Sequence, residues 1–318
     1  LINKYESYYI KMGDPKECAN LLNEALNGKK NKEETVYNVI ANSNLAKRLQ
    51  IAEEYNKAYN KQLYEELKSK LSGEFKSLAI HLFLPPVRYF AKLFKKAFKG
   101  LSKDSSLIFE LLTSFSCEDI GKIAIAYNEE TKKDLVKNIQ KAFSGAMQKN
   151  VMNLMTVPRK VGGSINKEEC EKKCDRLIEA GESNWVNDDS LFKDIFICSS
   201  PQELVMICRY YFAKTQKNLF EVVEKKLSGK AKTLLKELLY NNICPYDLYS
   251  EKIYLAIKGL GTDNDLLNRV LTERTEIDMN EIREIYPTKY KRTLKEDIVG
   301  DTSGWYQKLC LLLAGLES

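Results

Sequence analysis

Two glycines are the residues of this chain whose types and spacing best suit metal chemistry. Gly259 and Gly261 lie in a short segment at 257–263. Calcium is a hard cation that takes six to eight oxygen ligands, including backbone carbonyls and carboxylates. Glycines permit a tight turn that exposes carbonyls, and a carboxylate from a second segment closes such a site. The alternative interpretation is a simple turn between two helices.

Catalytic chemistry has few candidate residues. The chain contains one histidine, His81, which lies in the apolar segment Leu-Ala-Ile-His-Leu-Phe. That context favours a packed side chain over a general base. The sequence has no P-loop, no Gly-x-Ser-x-Gly and no HExxH segment. We therefore expect that the protein is not an enzyme.

The eight cysteines do not follow the spacing of a metal centre. None lies in a CxxC motif, and Cys170 and Cys174 have no second pair or histidine nearby. A structural zinc site needs four closely organised ligands. We expect free, mostly buried thiols, as in a reducing compartment.

Lysine dominates the charged residues. The chain carries a net charge of +6, with 41 lysines and nine arginines. Arginine suits forked contacts with nucleic-acid bases, whereas lysine is a hydrated point charge that suits diffuse attraction to anionic membranes. We therefore expect membrane partners and no nucleic acid. For any single lysine, an ordinary place on a solvated helix face is the better interpretation.

The apolar segments are short. The longest apolar run has eight residues, at 309–316, against about 20 for a transmembrane helix. The sequence opens without a signal-like apolar segment and also without an initiator methionine. We predict a cytoplasmic protein that attaches to membranes peripherally, and secretion or surface exposure stays open.

A repeated unit organises the elements that must position these residues. A Ser-Gly pair recurs four times, with its serines at 72, 144, 228 and 303. A matching helical stripe of apolar residues precedes each pair at a fixed distance; in the fourth copy it contains Leu266, Leu267, Val270 and Leu271. β-type alternation is scarce. The sequence therefore predicts an all-α protein of four repeats.

Prolines and glycines mark the joints between the repeats. Pro85-Pro86 and Pro245 precede the second and fourth copies, and a linker with Pro158 and Gly162-Gly163 lengthens the middle spacing. The predicted divisions are an N-terminal tail at 1–12, repeat one at 13–85, repeat two at 86–157, a linker with repeat three at 158–241, and repeat four at 242–318.

Three separated motifs of the fourth copy resemble those of an annexin repeat. They read Ile-Lys-Gly-Leu-Gly-Thr-Asp at 257–263, Arg-Thr-Glu-Ile-Asp at 274–278 and Gly-Asp-Thr-Ser-Gly at 300–304. Asp14-Pro15 resembles the start of a first annexin repeat, so the similarity covers nearly the whole chain. The resemblance implies the annexin fold, in which four repeats of five short helices form a curved disc with calcium loops on its convex face.

The resemblance also implies a ligand set and a function. In similar annexin sites, three loop carbonyls and one acidic side chain hold calcium. They correspond here to the carbonyls of Ile257, Gly259 and Gly261 and to the carboxylate of Asp301. The implied function is calcium-dependent binding of anionic phospholipid membranes. The alternative is a calcium-independent scaffold that links membranes to cytoskeletal proteins.

The other three copies depart from the annexin pattern at the acidic ligand. Lys70, Ala142 and Lys226 stand in its place, and an ammonium group repels Ca²⁺. In this respect the chain is similar to divergent annexins such as the alpha-giardins of protists. We expect one principal calcium site, in repeat four.

The same substitutions indicate a second mode of membrane contact. In the implied fold the lysines lie on the convex face, where each contributes about 1 kcal/mol near an anionic leaflet. Loop tryptophans favour the membrane interface, but each can instead pack against its own repeat. Neutral drift explains the lysines equally well. The residues predicted to contact the membrane are Lys29, Lys30, Lys70, Trp185, Lys226 and Trp305.

Overall fold

Helices account for the regular structure of the described residues. The computed structural model describes residues 13–28, 31–100 and 102–317. These residues form 20 α-helices and no strand, which confirms the predicted all-α fold class. They divide into two compact units. The first unit joins the first 85 residues of the chain to those from Tyr246 onward, and the second contains Pro86–Pro245.

The first unit contains two sets of five helices from opposite ends of the chain. Their apolar faces share one core, in which Leu22 and Leu78 belong to the same cluster as Leu267 and Leu309. The first set is α1 (Pro15–Asn27), α2 (Lys32–Ala41), α3 (Leu45–Tyr59), α4 (Leu63–Lys70) and α5 (Gly73–Ala79). The second set is α16 (Pro245–Ile257), α17 (Asn264–Arg274), α18 (Met279–Tyr290), α19 (Leu294–Asp301) and α20 (Gly304–Leu313).

The second unit contains the two middle sets. The first is α6 (Pro86–Ala97), α7 (Ser105–Ser114), α8 (Cys117–Thr131), α9 (Leu135–Ala142) and α10 (Gly145–Thr156). The second is α11 (Lys167–Ala180), α12 (Asp189–Phe192), α13 (Pro201–Thr215), α14 (Leu219–Lys226) and α15 (Gly229–Ile243). The predicted division between residues 241 and 242 falls inside α15, because this helix continues to Ile243.

The Ser-Gly pairs mark the start of the fifth helix in every set. Each glycine is the first residue of that helix and has a φ between 53° and 62°. This left-handed conformation favours glycine, since a Cβ would crowd the backbone there. The four glycines are residues 73, 145, 229 and 304.

The fourth helix of each set is eight residues long and ends at a position that the sequence singles out. α4 ends at Lys70, α9 at Ala142, α14 at Lys226 and α19 at Asp301. The four positions are therefore structurally equivalent, as the Ser-Gly spacing predicts.

The cysteines are all free thiols. Three are buried and five are half-buried, so the expectation that most are buried is wrong. Burial raises the pKa of Cys174 to about 11 and that of Cys208 to about 12. In the described part of the chain, no helix is both long and apolar enough to cross a membrane.

Candidate calcium site

The loop between α16 and α17 carries the predicted metal ligands. It turns at Gly259 and Gly261, whose φ values of 129° and 90° favour glycine. The amide of Asp263 donates to the carbonyl of Ala256 (2.7 Å) and closes the loop at its base. The Asp263 carboxylate then caps α17 by accepting a hydrogen bond from the Leu266 amide (3.0 Å). Local sequence thus determines a short loop with two glycine turns.

Asp301 lies against this loop. The Thr262 hydroxyl donates to Asp301 Oδ2 (2.6 Å), and its oxygen lies 3.0 Å from the Asp301 backbone carbonyl oxygen. Ile257, Gly259 and Asp301 line one cavity of about 400 Å³. The structure therefore brings the two predicted segments together, with Thr262 joining them. Sequence reasoning missed Thr262, although its place directly after Gly261 was a usable signal.

Aromatic rings form part of the cavity wall. Tyr254 and Tyr290 stack with their ring centroids 3.9 Å apart. The Lys258 ammonium lies 5.3 Å from the Tyr254 ring centroid, within cation–π range. Burial raises the pKa of Tyr290 to about 12, so its hydroxyl stays neutral at physiological pH.

The two carboxylates that line the cavity are engaged differently. Arg292 Nε lies 2.8 Å from Asp297 Oδ1, and the Tyr286 hydroxyl donates to Asp297 Oδ2 (2.7 Å). The charge of Asp297 is thus balanced within the protein, and burial together with this hydrogen bond raises the pKa of Tyr286. Asp301 is engaged by a neutral hydroxyl, so its negative charge remains to attract a cation.

The donor set fits calcium. A glycine turn presents backbone carbonyls and Asp301 supplies a carboxylate, which are the oxygen ligands that calcium prefers. Among the described residues, no three acidic, histidine or cysteine side chains form a cluster that could hold a metal. A cation at this loop would take its other ligands from carbonyls, water or a bound anion.

The equivalent position of the second repeat has a different composition. The loop between α6 and α7 turns at Gly100, with a φ of 102°, and the Asp104 amide donates to the Ala97 carbonyl (2.9 Å). The helix end facing it carries Ala142 in place of the aspartate. The Lys103 ammonium donates to the backbone carbonyl of Lys141 (3.1 Å) at that helix end. Sequence reasoning did not assign this contact.

The first and third repeats present lysines at this position. Lys70 and Lys226 are both exposed at the ends of their helices. Lys217, Lys225 and Lys226 line a cavity of about 270 Å³ in the third repeat. The two remaining predicted lysines, Lys29 and Lys30, lie outside the described residues.

The two tryptophans have different environments. Trp185 is 1% exposed, its indole N–H donates to the Leu177 carbonyl (2.9 Å), and its ring packs edge-on against Tyr211. The prediction that Trp185 contacts the membrane is wrong for this structure, because the side chain is buried. The interior supplies both the apolar surroundings and the N–H acceptor that a buried indole needs. Trp305 is half-buried between Tyr37 and the Lys308 ammonium, and its membrane role stays a prediction.

Comparison with known proteins decides the family. The annexin family model matches residues 17–82, 89–154 and 249–313, which together exceed half of the chain. The chain belongs to the annexin family. Annexins are in general non-enzymatic proteins that bind phospholipid membranes in a calcium-dependent way. Calcium and acidic phospholipid membranes are thus the cofactor and the partner typical of the family.

Individual relatives show how far the similarity extends. Human (Homo sapiens) annexin A7 is 31% identical over 297 residues, covering 93% of this chain. This annexin spans only 61% of the length of annexin A7. The structure of annexin III is similar with a TM-score of 0.89 and 29% identity, over 98% of this chain and 96% of that chain. Calcium-bound alpha-14 giardin shares the fold, with a TM-score of 0.80 and 18% identity. The match covers 95% of this chain and 99% of the giardin chain.

Proposed function

We propose that this annexin binds anionic phospholipid membranes through one principal calcium site in its fourth repeat. The protein ligands are the carbonyls of Ile257, Gly259 and Gly261 and the carboxylate of Asp301. The observation that supports this proposal is the meeting of the α16–α17 loop with Asp301 through Thr262. Calcium prefers more oxygen ligands than these four, so a lipid phosphate completes the coordination and joins the protein to the membrane.

An exposed apolar residue at the tip of the α16–α17 loop also supports contact between this loop and a membrane. Leu260 lies between the two glycine turns and is fully exposed. Transfer of a leucine side chain from water to an apolar environment is worth about 2 kcal/mol. When the loop binds a membrane through calcium, the Leu260 side chain would insert into the apolar part of the membrane.

Lysines add a salt-sensitive attraction in this proposal. Lys70 and Lys226 are exposed at the positions equivalent to Asp301, and Lys29, Lys30 and Trp305 complete the proposed contact set. A lysine near an anionic leaflet contributes about 1 kcal/mol, and the Debye length is about 10 Å at 0.1 M salt. A cytoplasmic, peripheral location is part of the proposal and suits a chain whose eight cysteines are free.

The test is co-sedimentation with phosphatidylserine vesicles over a series of calcium concentrations. Asp301→Asn should shift the required calcium concentration at least about tenfold, which corresponds to 1.4 kcal/mol, because it removes the charged ligand and keeps the size of the side chain. Glu284→Gln is the matched control, since Glu284 is an exposed carboxylate on α18 of the same unit. Binding that remains in chelator should decrease as salt increases.

Two outcomes would contradict the proposal in different ways. If Asp301→Asn sedimented at the same calcium concentration as the native chain, the calcium site would lie elsewhere. If the native chain stayed in the supernatant at saturating calcium, the scaffold function that links to the cytoskeleton would be the better explanation.

A further inference from the structure

The second repeat closes its α6–α7 loop and caps the following helix as the fourth repeat does at its α16–α17 loop. Asp104 and Asp263 both cap the following helix, through amides at residues 107 and 266 (3.0 Å each). Both aspartates also donate their own amides back to an alanine carbonyl, that of Ala97 or Ala256. Lys103 and Thr262 immediately precede these aspartates and are therefore equivalent.

The two equivalent residues both contact the C-terminal end of the fourth helix of their repeat. Thr262 reaches the last residue of α19, where its oxygen lies 3.0 Å from the Asp301 carbonyl oxygen. Lys103 reaches the end of α9, where its ammonium donates to the Lys141 carbonyl (3.1 Å). In both repeats the loop is thus joined to the end of the fourth helix. In the second repeat a cationic group makes this connection.

We propose that the Lys103 ammonium is a built-in substitute for calcium, which lets the second repeat bind the phosphate group of a phospholipid headgroup without metal. This inference rests on the proposed membrane-binding function and extends it to a repeat that lacks the acidic calcium ligand. The site consists of Lys103 and the C-terminal end of α9.

The net charge supports the idea that the Lys103 ammonium takes the place of calcium. Ca²⁺ with one carboxylate leaves a net charge of +1 at the fourth repeat, and the Lys103 ammonium next to the neutral Ala142 gives the same net charge. An aspartate at position 142 would form an ion pair with Lys103 and cancel it. The two departures from the annexin pattern, at 103 and 142, therefore act as one coupled change. The C-terminal end of a helix also favours a cation, because its carbonyls carry partial negative charge.

The ammonium keeps donors for a ligand. It has three N–H groups, of which the Lys141 carbonyl takes one. A carbonyl carries no formal charge, so the ammonium keeps its full positive charge. Lys103 is exposed, and its other N–H groups are accessible to a phosphate oxygen.

A membrane is the source of phosphate that this site suits. One ammonium offers few contacts to a free phosphate ion, so an isolated encounter is weak. A lipid surface presents many headgroups at once, so an ammonium that meets it has a high local concentration of phosphate groups. Soluble phosphate should therefore be a poor competitor.

The first test measures vesicle binding in chelator at low salt. Lys103→Met should reduce binding to phosphatidylserine vesicles at least threefold, while Lys133→Met should leave it close to native. Lys133 is the matched control, because it is an exposed lysine at the opposite end of α9. Equal loss in both variants would overturn the proposal, as would displacement of the native chain by millimolar inorganic phosphate, which would indicate a site for free phosphate.

The second test converts the site and needs no membrane. Ser102→Gly, Lys103→Thr and Ala142→Asp together restore the composition of the fourth repeat and should add one bound Ca²⁺ per chain in equilibrium dialysis. Ala142→Asp alone should add none, because Lys103 would pair with the new carboxylate. Extra calcium in that single variant would show that Lys103 does not occupy the site and would overturn the proposal. Native binding that requires calcium would overturn this inference and the proposed lysine attraction but not the calcium site, whereas no binding even with calcium would contradict the proposed calcium-dependent function. Binding in chelator that Lys103→Met leaves unchanged would overturn this inference alone.

Discussion

A buried ion pair distinguishes the fourth repeat at the scale of single residues. Arg274 bonds to the Asp278 carboxylate through Nε (2.8 Å) and Nη2, and both residues are at most 9% exposed. The guanidinium also lies 4.2 Å from the Tyr249 ring centroid. The equivalent positions of the other repeats hold Ser43, Phe115 and Ser199. The pair is therefore a feature of this repeat and not a requirement of the repeated unit.

Removing one member of this pair should destabilise the protein strongly. Asp278→Asn removes the carboxylate to which the buried guanidinium bonds, which should lower the free energy of unfolding by about 3 kcal/mol or more. Urea denaturation followed by circular dichroism measures the change. Glu53→Gln is the control, because its pair with Lys57 (2.8 Å) is exposed on both sides and should change little. A similar small effect at both sites would show that the buried pair tolerates an unbalanced charge.

The junction between the fourth and fifth helices is the most regular feature at the scale of secondary-structure elements. Each of the four junctions places glycine at positive φ, and a Cβ added there would meet no atom within 4 Å. The requirement for glycine therefore comes from the local backbone conformation and not from crowding by other parts of the fold. This geometry sets the position of the fourth helix's last residue, which is Ala142 in the second repeat and Asp301 in the fourth.

Two glycine substitutions of opposite sign test this interpretation. Gly145→Ala should lower the free energy of unfolding by roughly 1–2 kcal/mol, because alanine resists left-handed φ. Gly121→Ala, in the interior of α8 with equally open surroundings, should raise it by roughly 0.5–1 kcal/mol through helix propensity. Thermal denaturation of both variants provides the comparison. Two changes of the same sign would mean that space, and not conformation, governs these positions.

At the scale of the whole molecule, the two units differ in whether their residues are continuous in sequence. The second unit is one continuous stretch, Pro86–Pro245, whereas the first unit joins both ends of the described chain. Within the first unit, α5 packs against α17 and α20. Arg48 pairs with Glu276 (2.7 Å), whose carboxylate also accepts the Leu45 amide (2.9 Å). To fold, the first unit must bring together two chain segments that are separated in sequence by the whole second unit, which costs loop-closure entropy.

Fragments of the two units should differ in their ability to fold alone. Residues 86–245 alone should be helical and unfold cooperatively in urea, because this stretch contains its own core. The first 85 residues alone should be mostly unfolded, since α17 and α20 are missing, and addition of residues 246–318 should restore helicity in circular dichroism. A cooperative transition in the 85-residue fragment by itself would contradict the shared core.

The sequence by itself determined the all-α class, the four repeats and the equivalence of Lys70, Ala142, Lys226 and Asp301. Helical periodicity, caps and glycine turns are local properties, so spacing along the chain is enough to predict them. The candidate calcium ligands also followed from the sequence, because a resemblance at three separated motifs identified which distant acid belongs with the glycine loop.

Only the tertiary structure decided which distant groups meet, within a repeat and between repeats. It placed repeat one and repeat four in one core, turned Trp185 inward against Tyr211, and brought the Lys103 ammonium to the end of α9. Each of these contacts joins residues that are at least 26 positions apart in the sequence. Packing and charge between distant segments determine such contacts, and these are not encoded in the local pattern around either residue.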